Sequence, residues 1–463
     1  MAPTRNLRLE AVIRELGWPQ DRLAAHFRRV AAENGAPDLL TVTRSHISQW
    51  LRGSRPRGQA PTILCETLSR GLGRVVTLAD IGLHDEAAPT PTVPTWDIDT
   101  VTTLVDLGAS DLDMNRRQIL VNSAYSVAGL TLPPDTWWDE RPARARARRS
   151  TTDIAVTDDD VESVREMTTF FSQRDQRRGG RVGRTALVAY LRTEVAGYVQ
   201  GRFTSERTRV HLMAAAGELA YLAGWTAFDA SEHSLAQSYF KLALQLTAEA
   251  DDGPLAGHIL RAMAHQAVDL GHPAEALNLS TASLQRNRYD LASPREKSLL
   301  GVVHARAEAA TGERSGAARA LVRAEDDLRA AEDGTVDEPG RVFFFSEASL
   351  AHETACALRD LGDMAGAERE FHRSVRTRQA GPFARTHAVT LGYLGEVQVR
   401  RGHLDEAIAT WTRALDAMGG VHSGRTRDIA VQMRRSLSPV RHRGGTAAAE
   451  LDDRARTLLH RVG

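Results

Sequence analysis

Four short stretches of the chain share one register: Gly271-His-Pro-Ala-Glu-Ala276, Gly312-Glu-Arg-Ser-Gly-Ala317, Gly362-Asp-Met-Ala-Gly-Ala367 and Gly402-His-Leu-Asp-Glu-Ala407. In each, an alanine follows a glycine by five residues. Four residues past that alanine stand Leu321, Phe371 and Trp411, with Ser280 in the first copy, and twelve before it stand Ala264, Ala305, Ala355 and Gly395. An earlier copy, Ala236 with Phe240 and Gly224, lacks the turn glycine. A turn glycine, a small residue at a close crossing and an apolar residue on the facing helix describe one helix hairpin. Such a hairpin buries its apolar face only against a neighbour, so the copies must stack. The marker alanines lie 40, 41, 50 and 40 residues apart, and the longest interval holds Glu332-Asp333-Gly334 to Pro339-Gly340, a loop.

The pattern resembles tetratricopeptide helix hairpins over Val210 to about Met418. Its period exceeds the repeat of about 34 residues, which predicts lengthened helices or loops. The resemblance implies a right-handed α-solenoid of about five repeats, whose first helices face a concave inner wall. On those helices fall Tyr221, Trp225, Arg261, His265, Arg306 and His352, alongside Val302, Cys356, Gly392 and Glu396. Aromatic, cationic and imidazole groups on one wall suit a small-molecule or peptide effector, and the first six are the expected effector-binding residues. The alternative is that these side chains satisfy one another.

Composition agrees with an all-α fold. Alanine, arginine and leucine dominate, and strand-like alternation is scarce. The 463 residues allow roughly two to four domains. Formal net charge is zero, so the whole chain is no general nucleic-acid binder. Cys65 and Cys356 are the only cysteines, which gives no disulfide framework and no zinc site and suits a cytoplasmic protein. Neither a secretory leader nor a membrane-spanning run is expected. No nucleophile elbow, metal-ligand spacing or phosphate loop is present, so neither enzyme chemistry nor a cofactor or metal is expected.

Charge is uneven: Met1 to Leu83 holds 12 Arg against 7 Asp and Glu, a difference of +5. Asn6 to Leu16 reads as a helix with Leu9, Val12, Ile13 and Leu16 on one stripe. A second begins at Trp18-Pro19 and buries Leu23, Ala24, Phe27 and Val30, and a fourth follows Pro61. Between them lies Thr41 to Arg57. Thr43 is its N-cap, Ile47 and Trp50 share the buried face, and Gly53 and Pro56 stop it. The other side carries Arg44, Ser45, His46, Ser48, Gln49 and Arg52. This order resembles the recognition helix of phage-repressor-type (XRE-like) helix-turn-helix proteins, with a longer turn before it. The resemblance implies that residues 1–88 bind double-stranded DNA as a homodimer. Thr43, Arg44, Ser45, His46, Ser48 and Gln49 would face the bases, and Arg52, Arg55 and Arg57 the phosphates.

Residues 89–157 read as a linker and connecting helix. Asn115 to Leu120, followed by Val121 to Leu132, imitates a twin-arginine export signal, but polar residues interrupt it and it reads as a packing helix. Arg141 to Arg149 reads as a solvated basic hinge. Residues 158–209 form a helical hairpin around Gly179-Gly180, whose glycine spacing fits no phosphate cradle. Phe170-Phe171, Asp175-Gln176-Arg177, Gly179-Gly180, Ala186-Leu187 and Tyr190-Leu191 resemble the region before the repeats in regulators of high-GC bacteria. Those join a phage-repressor-like head to tetratricopeptide repeats. Residues 421–463 read as a basic irregular segment and a capping helix, Ala447 to Leu459. Two functions follow: a transcriptional regulator whose solenoid senses an effector or binds a partner protein, or a repeat scaffold with no role on DNA.

Overall fold

Four helices make the head: α1 (Leu7–Leu16), α2 (Gln20–Glu33), α3 (Arg44–Leu51) and α4 (Ala60–Leu72). The protein is seen here as a computed structural model that describes residues 5–34, 36–83, 96, 98–113, 125–332, 334, 336–438 and 445–462. The apolar stripes of the four helices close on one cluster, with Leu9, Leu23, Phe27, Ile47, Ile63 and Leu68 fully buried. Gly17 stops α1 in the left-handed conformation, and Pro19 lies just outside α2 as its N-cap rather than within it. The link from α2 to α3 is a 3-10 turn, Pro37–Thr41.

Between the head and the repeats come α5 (Thr100–Leu112), α6 (Asp135–Ala147), α7 (Asp158–Arg178) and a broken helix. That last runs as α8 (Arg184–Tyr190), then a π-type turn at Leu191–Val195, then Ala196–Val199. A two-residue parallel ladder, Ala155 with Arg202 and Val156 with Phe203, ties the two ends of this segment together. The export-like motif at Asn115 to Leu120 lies outside the described residues, as does the proline-threonine stretch Thr90 to Thr95. Tyr125 to Leu132 is not the packing helix expected. It is a strap with one 3-10 turn, Ala128–Leu130, because Pro133-Pro134 follows at once and the polar Ser126 is buried by bonding to Gln237.

Five hairpins follow: α9 (Glu206–Asp229) with α10 (His233–Ala250), α11 (Gly253–Asp269) with α12 (Pro273–Ser283), and α13 (Pro294–Thr311) with α14 (Arg314–Glu332). Then come α15 (Glu347–Asp360) with α16 (Met364–Thr377), and α17 (Ala384–Arg400) with α18 (Leu404–Ala417). Among the described residues the regular structure is therefore all helical but for the short ladder, with the repeat-like stacking its register demanded. Gly271, Gly312, Gly362 and Gly402 have φ of 78°, 88°, 85° and 85°, the left-handed region a side chain avoids. Ala276, Ala317, Ala367 and Ala407 are all fully buried. Gly395 meets Trp411 so closely that an added Cβ would sit 2.3 Å from the indole nitrogen. In the earliest copy Ser231 stands five residues before Ala236 and itself takes φ 64°.

The last pair, α19 (Gly424–Leu437) and α20 (Gly445–Val462), corrects the expectation of an irregular segment after Gly420. Ser423 caps α19 by accepting from the Thr426 amide, and Ile429, Met433 and Leu437 recur every fourth residue on its buried side.

The stack curves until its end meets its beginning. Helix α17 packs against α7. Arg385 on α17 donates to Asp175 of α7 at 3.1 Å and to Asp229 at the end of α9 at 3.2 Å. Asp229 also accepts from Ser423 Oγ at 2.9 Å and from the Gly180 amide at 2.8 Å. The two glycines between α7 and α8 are thus a closing joint. A Cβ on Gly180 would lie 2.3 Å from the Thr226 carbonyl, and one on Gly179 2.6 Å from that of His422.

Candidate functional site

Two surfaces matter: the outward face of the head and the space inside the closed curve. On α3, Ile47 and Trp50 point into the head's core, and Trp50 packs against Phe27 with ring centroids 5.4 Å apart. That fixes the opposite side outward. Thr43, Arg44, Ser45, His46, Gln49, Arg52, Arg55 and Arg57 are all exposed with the body in place, and Ser48 is half-buried. Eight of the nine expected DNA-facing residues are thus open to solvent on the helix and the loop that follows it. Three of them have local duties. The Thr43 amide donates to His46 Nδ1 at 3.2 Å, so the ring folds back on the helix start. Arg44 lies 3.7 Å from Asp21 of α2, an exposed pair of small energetic weight. Arg28 donates to the Val42 carbonyl at 2.7 Å and so fastens α2 to the turn before α3.

The head's other side is a seam with the body. Arg70 donates to Glu33 at 2.5 Å and to Glu66 at 2.8 Å. Glu66 accepts from the Val127 amide at 2.8 Å, and the Asn34 side chain accepts from that of Tyr125 at 3.1 Å. His272, from the turn of the second hairpin, comes within 3.6 Å of Glu33 and stacks on Tyr125. Burial pushes the Glu66 carboxyl up. Burial pushes Glu33 the same way, but the nearby His272 ring and the Arg70 guanidinium outweigh it and hold it below the usual range. No single residue here announces an interface in the sequence. The pairings of Glu66 with Val127, Asn34 with Tyr125 and Glu33 with His272, all far apart in the chain, reveal it.

The six wall residues are buried in the curve rather than lining an open groove, apart from Trp225, which is half-buried. Arg261 donates to the Tyr221 hydroxyl at 3.2 Å and lies 2.9 Å from His258 Nε2. It also lies 5.7 Å from the Trp225 ring centroid. Arg306 donates to Asp269 at 2.6 Å and to Glu353 at 3.3 Å, and His265 comes within 3.5 Å of the same Asp269. His352 Nδ1 pairs with the Thr390 hydroxyl at 2.9 Å. The physical reason is curvature: closing the stack presses the first helices together, so their polar groups find one another. Burial drives His352 and His258 down to about 3, and both rings are neutral at pH 7. Cys65 and Cys356 are buried free thiols that burial pushes up to about 12, which makes them poor nucleophiles.

Inside the closure a chamber of about 960 Å³ remains. Its lining includes Phe228, His233, Asp269, Arg306, Tyr393 and Arg425, and at one edge Glu33 of the head. Of the six expected residues, only Arg306 reaches it. Tyr221 and Trp225 border instead a narrow cleft of about 20 Å³. His233 is neutral, pushed down by burial to about 4. Burial raises the Asp269 carboxyl, but Arg306 and His265 hold it well below its usual range. The chamber's floor comes from α19, the helix that composition alone did not reveal.

Among known proteins, residues 9–84 match the family model described as the SP15 N-terminal domain, which covers the head and the residues just after it. No curated protein matches the chain. One solved structure, of nearly identical TPR-like repeats from a Podospora anserina protein described as a putative kinesin light chain, aligns with 43% of this chain and 93% of its own. It is 16% identical with a TM-score of 0.31, too loose to bear on the fold, which rests on the packing described above.

Proposed function

We propose that the protein is a DNA-binding transcriptional regulator. Its head reads double-stranded DNA with the outer face of α3, and its solenoid binds a small-molecule or peptide effector or a partner protein. The observation that carries this reading is the exposed polar face opposite Ile47 and Trp50, which remains uncovered while α2 and α4 are engaged by the body. We read α2 and α3 as a phage-repressor-type helix-turn-helix. The 3-10 link of Pro37–Thr41 makes the turn longer than that motif's tight one. Two heads on two half-sites would make the working species a homodimer. No helix among the described residues is long and apolar enough to cross a membrane, and a cytoplasmic place suits a regulator of this kind. We read the chain as non-enzymatic.

Incubating the intact protein with fragmented genomic DNA at low salt, then sequencing what is retained, tests the reading. Enrichment of a shared site supports it. Absence of any DNA binding leaves the repeat scaffold as the function.

A further inference from the structure

The chamber sorts its lining along one helix. Arg425, Asp428, Ile429, Gln432 and Met433 of α19 all line it, in steps of three and four that place them on one face. Arg425 to Met433 spans about 12 Å of helix axis, from an ionic end to an apolar end that Trp411 also lines.

Most charged groups of the lining already hold a close opposite partner. Arg306 has Asp269 at 2.6 Å, Arg359 has Asp360 at 2.9 Å, Arg400 has Glu396 at 2.6 Å, and Glu33 has Arg70 at 2.5 Å. Two groups do not. Among carboxylates of the described residues Arg425 comes near Asp269 at 3.7 Å, one that Arg306 already holds; it also donates to the Tyr393 hydroxyl at 3.5 Å and lies 5.6 Å from the Phe228 ring centroid. Asp428, exposed at the rim, accepts a single bond from the Ser231 hydroxyl at 3.1 Å. Two further buried atoms of lining residues, Arg306 Nε and His233 Nδ1, have no hydrogen-bond partner. Buried polar atoms are rarely left so without a reason.

A guanidinium and a carboxylate three residues apart, each short of a close partner, complement a zwitterion. The ligand's carboxylate goes to Arg425, its ammonium to Asp428, and its body along Ile429 to Met433. We propose that the chamber binds a zwitterion with an apolar body, an apolar amino acid or a short apolar peptide, and that occupancy acts on the head through Glu33. The second half rests on the regulator reading above. Glu33 lines the chamber and also grips Arg70 and His272 at the seam, so a ligand that disturbs it alters how the head is seated. Only a ligand that favours one seating over the other shifts DNA affinity.

Calorimetric titration of the full-length protein with L-leucine, with trileucine, and with trileucine acetylated and amidated at its ends tests the site. We expect one free-ended probe to bind, the capped peptide to bind at least tenfold more weakly, and the two free probes to separate amino acid from peptide. Asp428→Asn weakens the free-ended probe at least tenfold. Gln432→Trp, which fills the chamber from an exposed position, removes binding without disturbing the core. No binding of either free probe at millimolar concentration overturns the site, as does a capped peptide that binds equally well or two variants that bind like wild type. DNA affinity by gel shift, with and without saturating probe, tests the link. A fivefold or larger change that Glu33→Gln abolishes is expected, and an unchanged affinity overturns it. A protein that binds the probe but no DNA loses the regulator reading and keeps the site.

Discussion

Arg44 and Gln49 show how much one helix position decides. Both are exposed because Ile47 and Trp50 are not. Replacing either by Ala is expected to cost about 1–3 kcal/mol at the preferred DNA site and to relax specificity there. Replacing Arg52, Arg55 or Arg57 by Ala is expected to weaken binding on any sequence and flatten the salt slope by about one unit. Filter binding at several salt concentrations separates the two classes, and equal loss on all sequences for Arg44→Ala would move it to the phosphate class. Inside the body the decisive residues are histidines. Burial lowers His233 to about 4 and His258 and His352 to about 3. A lowered histidine favours folding while it stays neutral, so its contribution is intact above about pH 6.5 and is lost as pH falls toward its folded value. Asp175, raised to about 6 mainly by burial, works the other way on the same descent. His352→Gln keeps a partner for Thr390 and is expected to remove one proton's worth of acid sensitivity, about 1.4 kcal/mol per pH unit between pH 6 and 4. Urea unfolding at those pH values checks it, and an unchanged slope would mean His352 already titrates normally.

At the scale of the element, each hairpin is set by one turn and one crossing. The left-handed glycines and the buried alanines stand where the repeat register placed them. Gly395 lets α17 approach α18 until the indole of Trp411 donates to the Gly392 carbonyl at 3.0 Å. Gly395→Ala adds a Cβ 2.3 Å from that indole nitrogen, and the overpacking is expected to cost about 1–3 kcal/mol. A melting temperature equal to wild type would show that the pair can part freely. Helix α19 was legible too, since Ser423 and the fourfold spacing of Ile429, Met433 and Leu437 are helix signals, but the surrounding arginines and glycines masked them.

For the whole molecule, closure is what matters. Asp229 is fully buried and takes bonds from Arg385, Ser423 and Gly180. Asp229→Ala leaves the Arg385 guanidinium in the interior with its share of Asp175 alone, and breaking a buried pair of this kind is expected to cost about 3–5 kcal/mol. It should also loosen the curve, so small-angle scattering would report a larger radius of gyration. An unchanged radius and stability would reduce the ion cluster to decoration. The motif Asp175-Gln176 with Gly179-Gly180 resembles a regulator signature in sequence, and in the fold it is the joint that closes the stack.

Periodicity and turn chemistry are local, so the sequence by itself determined the helices of the head, the outward face of α3, the hairpin register and the crossing residues. Each follows from neighbours within a turn or two. Only the tertiary structure decided what the curve encloses. The sequence rightly placed Arg261, His265, Arg306 and His352 on the inner helices, yet not that closure would bury them against Tyr221, Asp269, Glu353 and Thr390. Nor does any local signal join Glu33 to His272, or Arg425 and Asp428 to Phe228 and Trp411. Small rotations between successive hairpins accumulate over five of them, and their sum, which no single repeat encodes, sets where the last helix lands.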